Sequence, residues 1–190
     1  MKVIIALLGK AGAGKDTIAT ALIGHRPNWN MMVSCTTRPM REGEQEGVNY
    51  YYLTNEEFAI KVLNGDMLEA VCFNGWHYGS DKTTLKDGIN VGVFNPAGYE
   101  CLIETAIHDK DVMVLGFYVD VDDKTRLIRQ LNRESNPNIR EIIRRYQADE
   151  ADFFDIEEIA KYIVKNETYE DFEDAVNYIQ QVVDNLVSLD

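Results

Sequence analysis

Cysteine, histidine, proline and tryptophan are all scarce in this 190-residue chain, at three, three, four and two copies. Cys35, Cys72 and Cys101 are odd in number, widely spaced and set in apolar or mixed surroundings. That excludes a disulfide framework and points to free thiols in a reducing cytoplasm. No apolar run approaches about 18 residues, and the early run "VIIALL" is too short to span a membrane and lacks a cleavage-like flank. The sequence therefore predicts a soluble protein without an export signal. Internal repeats and low-complexity linkers are also missing, which leaves one domain, 1–190, long enough to bury a sizeable core. Positive charge is in deficit: the net charge is -13, which argues against non-specific binding to nucleic acid or membrane surfaces.

The positive charge that is present is concentrated. Six of the nine arginines stand in residues 126–145 against only two acids, Glu134 and Glu141. Arg38 and Arg41 form a second focus. An acidic protein that gathers arginine in two places points to bidentate recognition of phosphate, the plain alternative being a solvated helix face.

Hydrophobic patterning predicts an alternation of strands and helices. "KVIIALLG", "MMVSCT", "INVGVF", "VMVLGFYV" and "YIVKN" read as short buried strands. "DTIATALIG" has helical spacing. "TNEEFAIKVLNG" opens on a Thr54/Glu57 capping box, and "NPAGYECLIETAIHD" has Asn95 as N-cap with Pro96 in its first turn. Residues 122–151 read as helical, broken near Pro137, and the long C-terminal helix opens on Thr168 and Asp171. "MLEAVCF" and "WHYG" read as a hairpin across Asn74-Gly75, and 36–49 as a long loop. The fold class expected is α/β, a parallel sheet flanked by helices, with two small lobes interrupting the alternation.

"GKAGAGKDT" follows the first strand and opens the first helix, the context required by a phosphate-binding loop of the form G-x-x-x-x-G-K-[ST]. Gly9, Lys10, Ala11, Gly12, Ala13, Gly14, Lys15, Asp16 and Thr17 are the candidate ATP contacts. Glycines let backbone N–H groups turn inward around phosphate oxygens, and the helix N-terminus adds partial positive charge. Lys15 would bridge the β- and γ-phosphates. Asp16 replaces the usual hydroxyl. Asp16 and Thr17 are the metal candidates: Asp16 could bind Mg²⁺ directly, bind it through a water, or interact with the helix N-terminus, and Thr17 could share the ion or contact a phosphate.

"SCTTRPMREGEQEGVNYYYL" sets two arginines, hydroxyls and aromatics in the predicted loop, where a binding role outweighs a packing one. Thr36-Thr37-Arg38, Arg41, Gly43-Glu44, Gly47 and Tyr50 closely resemble the guanylate kinase signature T-T-R-x-x-R-x-G-E-x-x-G-x-x-Y. Glu69, Tyr78, Gly79 and Ser80 extend the match, which covers most of the chain and is most specific in its middle. The loop's "GKD[ST]" variant also looks like that of phage deoxynucleoside monophosphate kinases and ribose bisphosphokinases.

The resemblance implies a P-loop NTPase-type core at about 1–33, 84–125 and 146–190, an inserted nucleoside-monophosphate lobe at about 34–83 and a helical lid at about 126–145. It implies ATP-dependent phosphorylation of GMP or dGMP with Mg²⁺, by a cytoplasmic monomer or homodimer that uses neither nucleic acid nor membrane. Positions matching Arg38, Arg41, Tyr50 and Tyr78 would bind the monophosphate. Those matching Ser34, Glu69 and Ser80 would read guanine, and Arg133 and Arg144 would be the lid arginines, with Arg129 and Arg145 as alternatives in register. Asn95 stands where the family carries an acid that helps read the base or organise the metal. The other readings are a broader deoxynucleoside monophosphate kinase and a catalytically silent interaction module. A phosphate monoester is already largely dianionic at neutral pH, so His25, His77 and His108 need no catalytic role.

Overall fold

The protein is described from a computed structural model covering residues 1–73, 75–133 and 135–187. The turn residue Asn74 and the acid Glu134 lie outside the described residues. Nine strands and seven α-helices follow one another among those described: β1 (Lys2–Leu8), α1 (Lys15–His25), β2 (Asn30–Met31), β3 (Cys35–Thr36), β4 (Tyr51–Tyr52), α2 (Asn55–Leu63), β5 (Met67–Phe73), β6 (Trp76–Asp81), β7 (Gly88–Val93), α3 (Pro96–His108), β8 (Val112–Asp120), α4 (Asp123–Asn132), α5 (Ile139–Asp152), α6 (Ile156–Ile159), β9 (Tyr162–Lys165) and α7 (Tyr169–Val187).

A five-stranded parallel sheet runs in the order β2-β7-β1-β8-β9, and a smaller mixed sheet in the order β4-β3-β6-β5. The chain forms two compact units. One comprises Met1–Ala6 and Pro27–Leu115; the other comprises Leu7–Arg26 and the chain from Gly116 onward. Val3 to Leu8 of β1 are fully buried, as expected of a parallel strand covered on both faces.

In the second unit, α7 buries Ala175, Val176, Ile179 and Val183, one helical stripe, and packs on α1 and β9. Each larger buried side chain there contributes about 1.5–3 kcal/mol. The caps read from sequence are present. Thr54 and Glu57 form a reciprocal capping box, the Asn95 side chain accepts from Gly98 N–H, and Thr168 and Asp171 exchange hydrogen bonds. The break between α4 and α5 spans Pro137, and Asn138 caps the restart.

"MMVSCT" does not form one strand. Asn30 and Met31 pair with β7 in the large sheet, whereas Cys35 and Thr36 pair with β4 and β6 in the small one. The hydrogen bonds explain the split: Met32 N–H donates to Val91 C=O, while Ser34 C=O accepts from Tyr51 N–H. An apolar run reveals that a segment is extended and buried, not whose ladder it joins. The strand β4 and the helix α6 are additions within stretches that carry no periodic signal.

Candidate active site

The small sheet collects its polar residues by strand alternation. Glu69 is the cross-strand partner of Ser80, and Thr36 of Tyr78. Tyr78 and Ser80 are two apart on β6, so they share a face, and Glu69, Thr36 and Ser34 join them there. The Ser34 and Ser80 hydroxyls stand 3.4 Å apart. The opposite face is filled by α2. A Cβ on Gly79 would lie 2.5 Å from Met67 Cε, 2.6 Å from Glu69 O and 3.2 Å from a Phe58 ring carbon, so close approach requires glycine there. His77 stacks on the same Phe58 ring at 5.4 Å, a packing role.

Glu69 is 6% exposed. Burial pushes its carboxyl up to about 7, against the lowering effect of the Ser80 side-chain and backbone hydrogen bonds. The first turn of α3 lies beside it: a Cβ on Gly98 would stand 3.3 Å from Glu69 Oε2 and 3.1 Å from Asn95 Oδ1. The Asn95 cap and the Glu69 carboxyl therefore meet around Gly98.

Arg38, also 6% exposed, gives both guanidinium arms to Glu44, at 3.0 and 2.9 Å, and donates to Pro39 C=O at 2.8 Å. Its guanidinium lies over the Tyr50 and Tyr52 rings, 5.3 and 5.8 Å from their centroids. Glu44 also accepts from Arg41 N–H at 2.8 Å and Tyr52 OH at 2.7 Å. Burial pushes Glu44 up, but Arg38, Arg41 N–H and Tyr52 outweigh it and hold it at about 2. Tyr50 meets the Tyr78 ring edge-on at 6.0 Å. Arg38, Tyr50 and Tyr78 thus surround one small region, with Arg41 joined to it through its N–H on Glu44, which fixes the direction of Arg38.

The second unit contains the glycine-rich loop. Gly14 caps α1 with a left-handed φ of 88°, and no side chain among the described residues caps the first turn, so its N–H groups are open to an anion. A Cβ on Gly14 would stand 2.5 Å from Asn166 Nδ2, which donates to Ala13 C=O at 2.7 Å. Lys15 Nζ folds over the loop, donating to Gly9 C=O at 2.6 Å and Lys10 C=O at 3.3 Å. Burial lowers its pKa, partly offset by Asp16 and Asp149, while Arg126 and Arg133 lower it further.

A family model described as guanylate kinase matches residues 1–186. The chain belongs to the guanylate kinase family. A guanylate kinase of Prochlorococcus marinus is 31% identical over 176 residues, 86% of this chain and 96% of that protein. One from Chlorobium luteolum is 43% identical over 77 residues, 40% of this chain and 39% of its own length. The match thus spans less than half of that relative. The crystal structure of guanylate kinase from Anaplasma phagocytophilum shares the fold, with a TM-score of 0.66 at 24% identity, covering 97% of this chain and 85% of that one.

In this guanylate kinase family member, Asp16 and Thr17 are exposed on the first turn of α1. One carboxylate and one hydroxyl suit Mg²⁺, which keeps several waters and takes further oxygens from a nucleotide's phosphates. No group of three or more His, Cys, Asp or Glu suited to a metal occurs among the described residues. A phosphate-borne ion does not require such a cluster.

The candidate lid arginines divide. Arg133 follows α4 and is near enough to Lys15 to depress its pKa. Arg129 reaches Gly12 C=O at 3.5 Å and Glu167 C=O at 3.1 Å. Arg144 instead forms a two-pronged pair with Glu141 of its own helix, both bonds 2.8 Å, and Arg145 shares that acid. Glu44, Tyr52 and Arg126 stand inside the signature loop and the arginine-rich stretch without a role being legible there, and Asn166 and Asp149 carry no local signal.

Proposed function

We propose that this protein transfers the γ-phosphoryl group of ATP to the phosphate of GMP or dGMP, giving ADP and GDP or dGDP, as a soluble cytoplasmic enzyme. The observation that carries the reading is the shared face of the small sheet. Glu69, Ser34 and Ser80 stand at one end of it, and Tyr78 with Arg38 and Tyr50 at the other. Those two ends suit a purine and its phosphate.

Ionised Glu69 accepts from guanine N1–H and N2–H, and the serine hydroxyls donate to O6. Adenine presents the reverse pattern and leaves the buried carboxylate, held by Ser80, without the donors it needs from the base. Arg38 and Arg41 neutralise the acceptor phosphate, with tyrosine hydroxyls as donors. Loop N–H groups and Lys15 hold the ATP phosphates, and Mg²⁺, when bound with ATP, adds charge neutralisation through the side of Asp16 and Thr17. Transfer then depends on positioning and electrostatics, with the acceptor dianion itself as nucleophile and no general base.

A coupled ADP-release assay with GMP, dGMP, AMP, CMP and TMP tests this. Turnover with GMP or dGMP well above the rest is expected. Equal turnover with CMP or TMP overturns the guanine assignment, and no turnover with any acceptor overturns the kinase.

A further inference from the structure

The buried charges of the loop-bearing unit converge on Ala11. Its N–H donates to Asp149 Oδ2 at 2.6 Å. Its C=O accepts from Arg126 NH1 at 3.3 Å and from Gln130 Nε2 at 3.2 Å. Arg126 also reaches Asp149 at 3.4 Å and Asp123 at 2.5 Å, and its guanidinium lies over the Tyr146 ring at 5.1 Å. One residue of the loop is therefore gripped from both sides of its backbone by an acid and a base that also hold each other.

Among the described residues Arg126 is the largest fully buried side chain, 1% exposed, and its Nε finds no hydrogen-bond partner there. Burying an arginine with an unmet donor is costly, so a plain packing role is a poor account of it. Asp149 is buried as well, and Arg126, Lys15 and Lys10 set positive charge around it, which counters its repulsion of an anion nearby. Glu150, its neighbour, pairs with Lys10 at 2.5 Å, so the same end of α5 holds two successive loop residues. Arg144 stands five residues earlier on that helix, about 7.5 Å along its axis.

We propose that Asp149, braced by Arg126, is a positioning residue for ATP: it fixes the loop at Ala11 so that the N–H groups of Gly12, Gly14 and Lys15 face a triphosphate before one binds. Donors held in place in advance spare the ligand the cost of ordering them. This rests on the kinase reading of the loop.

The test is the affinity of D149N and D149A for ATP, by calorimetric titration, with GMP affinity as internal control and thermal melting as a check on folding. Asparagine keeps an acceptor for Ala11 N–H but loses the charge paired with Arg126; alanine loses both. ATP affinity is expected to fall about threefold in D149N and about tenfold in D149A, with GMP affinity unchanged. A merely structural Asp149 lowers the melting temperature and leaves ATP affinity of the folded protein untouched, and that result overturns the proposal. If D149A does not fold, D149N decides: wild-type ATP affinity in D149N overturns it. Wild-type protein that binds no ATP overturns this proposal and the kinase reading together, whereas ATP bound equally by wild type and variants overturns this one alone.

Discussion

Glu69 faces opposed demands at the scale of a single residue. Burial favours its neutral form in the free protein, yet the guanine recognition proposed for it needs the carboxylate. GMP affinity should therefore strengthen as pH rises through about 7, over and above the titration of the GMP phosphate itself. In E69Q that extra dependence disappears, and GMP affinity drops roughly ten- to a hundredfold because the amide presents a donor to a donor. A pH series of GMP titrations on both proteins checks this; parallel curves would sink it. The same residue acts on stability. Its folded pKa lies above its unfolded value, so its penalty is absent below about 4.5, grows as pH rises from there toward 7 and levels off above it. E69Q should melt higher than wild type at pH 8, by on the order of 1–3 kcal/mol of stability, and the gap should narrow as pH falls toward 5 and close below about 4.5. Glu44 has the opposite sign. Its folded pKa is held down at about 2, so its contribution, on the order of 2–3 kcal/mol, is full above about 4.5 and lost as pH falls through 2. E44Q should cost stability at neutral pH and raise KM for GMP through a misdirected Arg38, leaving KM for ATP alone. An unchanged KM for GMP would show that Arg38 needs no such brace.

The small sheet shows the same dependence at the scale of elements. β5 and β6 pair with a register shift between Met67 and Glu69, and Gly79 sits where the two strands and Phe58 of α2 press together. G79A puts a Cβ 2.6 Å from Glu69 O, which backbone cannot yield without moving β5. The expected result is a loss of about 1–3 kcal/mol and a several-fold rise in KM for GMP, with ATP affinity intact. Steady-state kinetics with each substrate varied in turn measures this, and equal effects on both substrates would count against it. Elements whose ends carry caps were legible in the sequence, since Thr54, Asn95 and Thr168 announce α2, α3 and α7 through local chemistry. The split of "MMVSCT" between two sheets was not, because strand pairing is decided by partners about 60 residues away at β7 and 40 residues away at β6. The same distinction divides the site. Arg38, Arg41, Tyr50 and Lys15 lie in contiguous motifs, whereas the hold of Asp149 on Ala11 joins positions 138 apart, and no spacing rule reaches that far.

At the scale of the whole molecule, charge sets a further condition. A chain of net charge -13 repels itself when folded, and the nucleotides proposed as its substrates are polyanions as well. That net charge already counts the arginines of α4 and α5, of which Arg126, Arg144 and Arg145 pair locally with acids of their own helices. Salt should therefore stabilise the protein. Between roughly 0.01 M and roughly 1 M salt the screening length falls from about 30 Å to about 3 Å, which removes repulsion between distant carboxylates but barely touches the buried Arg38–Glu44 pair. The melting temperature at pH 8 should rise by about 2–4 °C per kcal/mol of repulsion relieved. The gain should shrink toward pH 5, where carboxylates begin to take up protons and the excess falls. A melting temperature that drops with salt at pH 8 would mean that surface ion pairs such as Lys10–Glu150 and Lys61–Asp81 outweigh self-repulsion, and the charge balance argued for this molecule would have to be reversed.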